Sequence, residues 1–158
     1  EDESKQGMGT TLVVATIIDG KLYVANVGDS RLYIVNDDIR QVTKDHSLVA
    51  EMVRLGEVDV AAAREHPDKN IITRAIGAKT DVEADFFEVE LQEGDRIVIC
   101  TDGLTNMVED EVIRNIVSCD ISIEEKTELL VKTANQNGGR DNITVMIIEP
   151  FMYEVKAC

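Results

Sequence analysis

From Gly9 to Val42 the chain is a succession of short β-branched runs broken by two- and three-residue turns. Thr10 to Ile18 and Lys21 to Val27 flank Asp19-Gly20, a two-residue hairpin signal. Gly28-Asp29-Ser30 interrupts the pattern, Arg31 to Val35 resumes it, Asn36-Asp37-Asp38 turns, and Ile39 to Val42 closes it. Connections this short predict an antiparallel meander. Alternation within Lys21 to Val27 puts Leu22, Val24 and Asn26 on one face and Tyr23, Ala25 and Val27 on the other.

The middle of the chain changes period. Ser47 caps an expected helix with Leu48, Val49, Met52, Val53 and Leu55 on its apolar side, ended by Gly56. Asp59 opens a second short helix, Val60 to Glu65, which Pro67 stops, and Ile71 to Ile76 is a short apolar piece before Gly77. With no strand pattern across it, the region from about 46 to 77 reads as a helical flap inserted between strands, a kind of segment that carries substrate contacts. Strands return at Ala84 to Leu91 and Arg96 to Cys100, around the turn Glu93-Gly94-Asp95. Glu109 to Val117 and Ser122 to Gln136 are amphipathic, the second opened by the capping box Ser122-Ile123-Glu124-Glu125. These two helices are expected on one outer face, burying Val112, Ile113, Ile116, Leu129 and Leu130 against a sheet. Ile143 to Ile148 is a last apolar strand, ended by Pro150.

At 158 residues the chain is long enough for one domain with a real core. Its net charge of −15 argues against nucleic-acid or anionic-membrane binding, which require basic patches. No apolar run approaches the roughly 20 residues of a spanning helix. The cysteines, Cys100, Cys119 and Cys158, are odd in number and lack zinc-site spacing, so a reducing, cytoplasmic compartment is expected, with Cys100 a small buried hydrophobe. The two histidines, His46 and His66, read as surface or helix-end residues. The opening Glu-Asp-Glu-Ser-Lys carries neither an initiator Met nor a signal peptide, which suggests either a removed segment or a piece of something longer.

Two residues stand out chemically. Asp102 follows the apolar run Ile97-Val98-Ile99-Cys100, and Asp141 precedes another, with Gly138-Gly139 before it. A carboxylate at the mouth of a buried strand is costly unless paired or bound to a cation. Adjacent strands would bring both to one edge, with Asp29, after Ala25-Asn26-Val27, as a third. Oxygen-only clusters suit Mg²⁺ or Mn²⁺ rather than zinc or copper. The competing reading is that these are turn-forming aspartates, as Asp19 is.

Five motifs stand in order along the chain: Gly7-Met8-Gly9-Thr10-Thr11; Ala25-Asn26-Val27-Gly28-Asp29-Ser30-Arg31; Thr43-Lys44-Asp45-His46-Ser47; Cys100-Thr101-Asp102-Gly103-Leu104; and Gly139-Arg140-Asp141-Asn142-Ile143-Thr144. In wording, order and spacing the chain resembles the metal-dependent Ser/Thr protein phosphatases of the protein phosphatase 2C type, from Gly7 to about Ile148. The flap, with Asn70-Ile71-Ile72-Thr73 after His66-Pro67, is similar to that of the short bacterial members that oppose Ser/Thr kinases.

The resemblance implies an α+β fold, two packed antiparallel β-sheets flanked by helices, with a Mn²⁺ or Mg²⁺ centre at one end. It implies that Asp102 and Asp141 are ligands of one metal of a binuclear centre. Asp29 would bind a third, weaker ion that Asp102 also touches. It further implies a water, activated by the metals, that attacks phosphorus in line with no phospho-enzyme. Phosphorylated proteins, including a cognate Ser/Thr kinase, are the implied partners. The family's Arg-x-x-Asn-Glu-Asp-like and Asp-Gly-x-Gly-Gly stretches, which supply a bridging aspartate, a glycine carbonyl and a phosphate-binding arginine, do not occur before Gly7. On this reading residues 1–158 are the C-terminal two-thirds of a catalytic domain, and the isolated piece is expected to be inactive. A non-catalytic regulatory or interaction fragment of the same fold is the alternative. A relative acting on other substrates, such as phosphorylated anti-sigma antagonists, is a third.

Overall fold

A computed structural model describes residues 7–150. Seven strands and five helices follow in the order β1 (Leu12–Ile18), β2 (Lys21–Val27), β3 (Arg31–Val35), β4 (Ile39–Gln41), α1 (Leu48–Arg54), α2 (Val60–Ala63), β5 (Asp85–Glu90), β6 (Arg96–Cys100), α3 (Asp102–Thr105), α4 (Asp110–Val117), α5 (Ile123–Gln136) and β7 (Val145–Ile148). The strands form two antiparallel sheets, β1-β2-β5 and β4-β3-β6-β7. This is the α+β double sheet that the sequence led us to expect.

The connectivity corrects the meander. β2 and β3 do not pair: Gly28-Asp29-Ser30 carries the chain out of the first sheet and into the second. β5 then returns to pair with β2, and β6 pairs with β3. The crossing needs a backbone that only glycine supplies easily. Gly28 has φ +110°, and a Cβ there would meet the Thr11 side chain at 2.3 Å.

Alternation in the central strands divides the core in two. Leu32, Ile34 and Ile97 turn inward onto Leu22 and Val24 of the first sheet. Tyr33, Val35, Val98 and Cys100 turn outward onto Leu104, Val108, Ile113, Val117, Leu130 and Ala134 of the helices. β3 and β6 are buried on both faces, so their near-continuous apolar runs Leu32-Tyr33-Ile34-Val35 and Ile97-Val98-Ile99-Cys100 are what such strands require. Each apolar residue removed from water here contributes roughly 1.5–3 kcal/mol. Cys100 is buried as expected, Cys119 is exposed, and Cys158 lies outside the described residues.

Helices α4 and α5 lie on one outer face, but with fewer inward residues than expected. Ile113, Ile116 and Leu130 are buried, whereas Val112 and Leu129 are 38% and 37% exposed. Both sit beside a buried residue at the margin of their helix's apolar stripe, where a 100° step per residue turns them toward water. The capping box on Ser122 and Glu125 is present, with both reciprocal hydrogen bonds. By contrast, the outer face of the first sheet carries no helix among the described residues. Leu12, Val14, Ile18, Tyr23 and Phe86 are exposed on that sheet, Phe86 to 79%.

Residues 46–77, the stretch expected to form a flap, are tied together at their base. Leu48 N–H donates to the Ile71 carbonyl (2.8 Å), Thr73 N–H to the His46 carbonyl (2.7 Å), and Ile76 and Thr10 exchange a pair of backbone bonds at 2.9 and 3.0 Å. Ser47 caps α1 by accepting from the Ala50 N–H, while Asp59 precedes α2 without a side-chain cap bond, and α2 stops at Ala63, short of Glu65. No helix among the described residues is long and apolar enough to cross a membrane.

Candidate metal centre

Strand register brings the three aspartates to one end of the second sheet. Arg31, Cys100 and Val145 stand in one row across β3, β6 and β7. Asp29 lies two residues before Arg31, Asp102 two after Cys100, and Asp141 four before Val145. All three therefore continue the chain off the same edge. Thr101 then ties two of the loops together. Its N–H donates to the Thr144 carbonyl (3.1 Å), its hydroxyl donates to the Asn142 carbonyl (3.2 Å), and the hydroxyl accepts from the Thr144 N–H (3.0 Å). Gly103 permits this approach, because a Cβ there would stand 2.2 Å from the Asn142 carbonyl oxygen.

Asp102 opens helix α3, a single turn that no local sequence pattern after β6 announces. Its Oδ2 accepts from Asn106 Nδ2 at 3.2 Å. Burial, then the neighbouring Asp141, pushes its carboxyl above the usual range. Asp29 is lifted further, to about 6, by burial and then by the Asp102 charge, with Arg31 opposing. Asp102 is thus flanked electrostatically by both other aspartates. Asp29 and Asp102 line one cleft of about 250 Å³ together with Arg31, Asp45, Asp110 and residues of the flap. Asp141 lines the adjoining one with Gly103, Asn106 and Arg140.

The donor set is oxygen only, with Arg31, Arg64 and Lys69 alongside it in the cleft, and oxygen donors suit a hard divalent cation. It is also open. Among the described residues no three His, Cys, Asp or Glu side chains converge tightly enough to enclose an ion by themselves. Asp141 is exposed, and its Oδ1 accepts from its own neighbour, the Asn142 N–H, at 2.7 Å, so the turn-forming reading accounts for part of its geometry. Residues 46–77 flank the cleft: Arg64 Nη2 donates to the Thr105 carbonyl at 3.0 Å, at the end of α3.

His46 stands at a helix end, next to the Ser47 N-cap of α1, but not at the surface. It is 6% exposed. Its Nδ1 accepts from the Gly28 N–H at 3.1 Å, and its Nε2 faces Asp85 Oδ2 at 3.3 Å. Arg31 and Asp45 were likewise not singled out as site residues, although both stand within quoted motifs. Motif wording marked these positions; nothing local in the sequence shows that 28 and 46 touch.

The sequence model of the family described as Protein phosphatase 2C matches residues 1–143. Protein phosphatase PhpP of Streptococcus pneumoniae is 46% identical over 149 residues, 94% of this chain and 61% of its own length. The structure of the S. agalactiae serine/threonine phosphatase superposes with a TM-score of 0.87 at 40% identity, over 93% of this chain and 61% of that one. The catalytic domain of the serine threonine protein phosphatase PstP, solved in complex with 2 manganese ions, gives 0.80 at 33% identity, over 90% of this chain and 59% of that one. The chain therefore spans less than two thirds of the length of these relatives.

Proposed function

The chain belongs to the protein phosphatase 2C family, and from that premise we propose that it is the C-terminal part of the catalytic domain of a metal-dependent Ser/Thr phosphoprotein phosphatase. Residues 46–77 would be its substrate-facing flap. Its substrates would be phosphoserine and phosphothreonine proteins, a cognate Ser/Thr kinase among them. Cys100 and Cys119, free among the described residues and without zinc-site spacing, favour a cytoplasmic setting.

The observation that carries this reading is the position of Asp102, between Asp29 and Asp141 at one sheet edge beside the flap. Asp102 and Asp141 would hold one Mn²⁺ or Mg²⁺ and Asp29 a further ion. Such cations, when bound, lower the pKa of a water and neutralise phosphoryl oxygens. The chain's own residues supply the surroundings. Arg31, fixed by Asp45, keeps a positive charge beside the carboxylates. Lys69, Arg64 and Ser47 line the flap side of the cleft. Cys100 is no candidate for a covalent phosphatase step: it is buried among apolar side chains, and burial pushes its thiol up to about 12.

The openness of the carboxylate set favours one second reading, a non-catalytic piece of the same fold. One experiment separates the two. Phosphopeptide hydrolysis is measured with Mn²⁺ for this chain alone and for the chain joined to the region of a relative that it does not match. The phosphatase reading expects near-background turnover from the first and metal-dependent turnover from the second, abolished by Asp102→Asn. A joined protein that folds, binds Mn²⁺ and leaves phosphopeptide intact would favour the second reading.

A further inference from the structure

His46 sits where three parts of the molecule meet. Its backbone N–H donates to the Gly28 carbonyl at 2.9 Å, while its ring Nδ1 accepts from the Gly28 N–H at 3.1 Å. One residue thus takes both polar groups of Gly28, the residue before Asp29. Because Nδ1 is an acceptor, the neutral ring carries its proton on Nε2, the nitrogen that faces Asp85 Oδ2 at 3.3 Å. Arg74 Nη1 donates to the other oxygen of Asp85 at 2.9 Å and lies 3.2 Å from Nε2. The His46 carbonyl accepts from the Thr73 N–H at 2.7 Å. Thr73 and Arg74 are the returning neck of the flap, and Asp85 is the first residue of β5.

Gly28 has the freedom that such a clasp restrains. As a glycine it reaches φ +110° at no steric cost, so its own backbone preference does not hold it there, packed against Thr11. Asn26 Nδ2 adds only a long bond, 3.3 Å, to the same carbonyl. Hydrogen bonding of both peptide units that flank the Gly28 Cα leaves the 28–29 segment little freedom to turn the Asp29 side chain elsewhere.

We propose that His46 is a positioning residue that locks the Gly28–Asp29 segment and joins it to the flap neck, so that the flap and the Asp29 carboxylate move as one unit. The cation-holding role of Asp29 rests on the function proposed above; the clasp itself does not. Displacing the flap neck would then loosen Asp29 without any contact between the two.

Two near-isosteric variants divide the ring's functions. In His46→Asn, Oδ1 falls at the position of Nδ1 and keeps an acceptor for the Gly28 N–H. In His46→Gln, Nε2 falls at the position of the ring Nε2 and keeps only the donor toward Asp85. Amide hydrogen exchange of Gly28 and Asp29 is followed by NMR in this chain, with Leu32 and Val98 amides as core references. His46→Gln is expected to speed exchange at Gly28, whose N–H loses its acceptor, by about tenfold, the worth of one buried hydrogen bond, with the core unchanged, and His46→Asn to leave it near wild type. Arg74→Gln, which frees the flap neck, is expected to speed the Gly28 amide and not the core. Equal acceleration at Leu32 and Val98 in His46→Gln, no acceleration anywhere, or a Gly28 amide indifferent to Arg74→Gln would each overturn the proposal. Paramagnetic broadening by Mn²⁺ is read on the same samples. If wild-type Asp29 is not broadened while exchange behaves as expected, the clasp stands and the cation reading of Asp29 falls.

Discussion

Arg31 approaches Asp45 side-on: its Nε donates to both carboxylate oxygens, at 3.1 and 3.0 Å, and its Nη2 adds a bond of 2.7 Å to Oδ2. Nη1 is left for the Tyr33 hydroxyl at 2.9 Å, and that hydroxyl donates to Asp110 at 3.2 Å. The pair is mostly buried, with side chains 24% and 13% exposed. Removing one partner strands the other charge, so Asp45→Ala is expected to cost about 3–5 kcal/mol in urea denaturation. Arg31→Lys also loses stability, because an ammonium cannot reproduce the fork. A loss below about 1 kcal/mol for Asp45→Ala would place the pair with solvent-screened surface bridges.

Asp29 sets a pH dependence of definite sign. Its carboxyl has an ordinary value of 3.8 and is raised to about 6 in the fold, by burial first and then by Asp102. Below about 4 it is protonated both folded and unfolded, and contributes nothing. Between about 4 and 6 the folded chain binds the extra proton, so stability falls as pH rises through this window. Without divalent cations, Asp29→Asn should be more stable than wild type at pH 7 and equal to it at pH 3.5, by urea midpoint. On the proposed function, Mn²⁺ narrows the gap at pH 7.

Glu149 acts in the opposite direction. Burial would raise its carboxyl, but Lys126 at 3.1 Å and Arg96 at 2.9 Å outweigh burial and hold it below its ordinary 4.5. Its stabilisation is complete above about 4.5 and is lost as pH falls through the depressed folded value. Glu149→Gln leaves Lys126, itself buried, without a counter-charge, and should cost about 3–5 kcal/mol at pH 7. Thermal melts at pH 7 and pH 3 should show the variant's deficit shrinking at the acid end.

Helix α5 offers a packing contrast between adjacent residues. Leu130 is fully buried and Leu129 is 37% exposed. Leu130→Ala should cost about 2–5 kcal/mol and Leu129→Ala distinctly less. Ser122→Ala, which removes the cap, should cost about 1 kcal/mol. Equal losses for the two leucines would mean that the helix is rotated about its axis relative to the sheet.

The outer face of the first sheet, which no helix among the described residues covers, should show itself in solution. Phe86, Val14 and Leu12 stand exposed on it. The chain alone should bind an apolar dye and self-associate with rising concentration, and Phe86→Glu should reduce both. A monomer that stays dye-free at high concentration would contradict this.

Element type was legible because the local signals agree. Asp19-Gly20 sets its hairpin, Ser122 and Glu125 cap their helix, and β3 and β6 are apolar on both faces. Pairing was not legible. An apolar run such as Arg31 to Val35 does not say which strand it lies beside, and the departure at Gly28 looks like any turn until β5 is seen to return to β2. The three aspartates were visible as carboxylates abutting buried strands, and register explains their shared edge. The helix-end position of His46 was legible but its burial was not, because that comes from partners at 28, 74 and 85, distances along the chain that no local pattern records.

The crossing at Gly28 to Ser30 makes the sheet stack into a caliper. Asp29 rides on the jaw between the two sheets, and Asp102 extends from β6 in the second. What sets the gap is the filling between the jaws, Leu22 and Val24 against Leu32, Ile34 and Ile97. Close-packed interiors transmit a change of even one methylene. A trimmed Ile34 or an enlarged Val24 would thus move the first sheet against the second and pull on the Gly28 end of the loop whose other end, Arg31, is registered with Cys100 of β6.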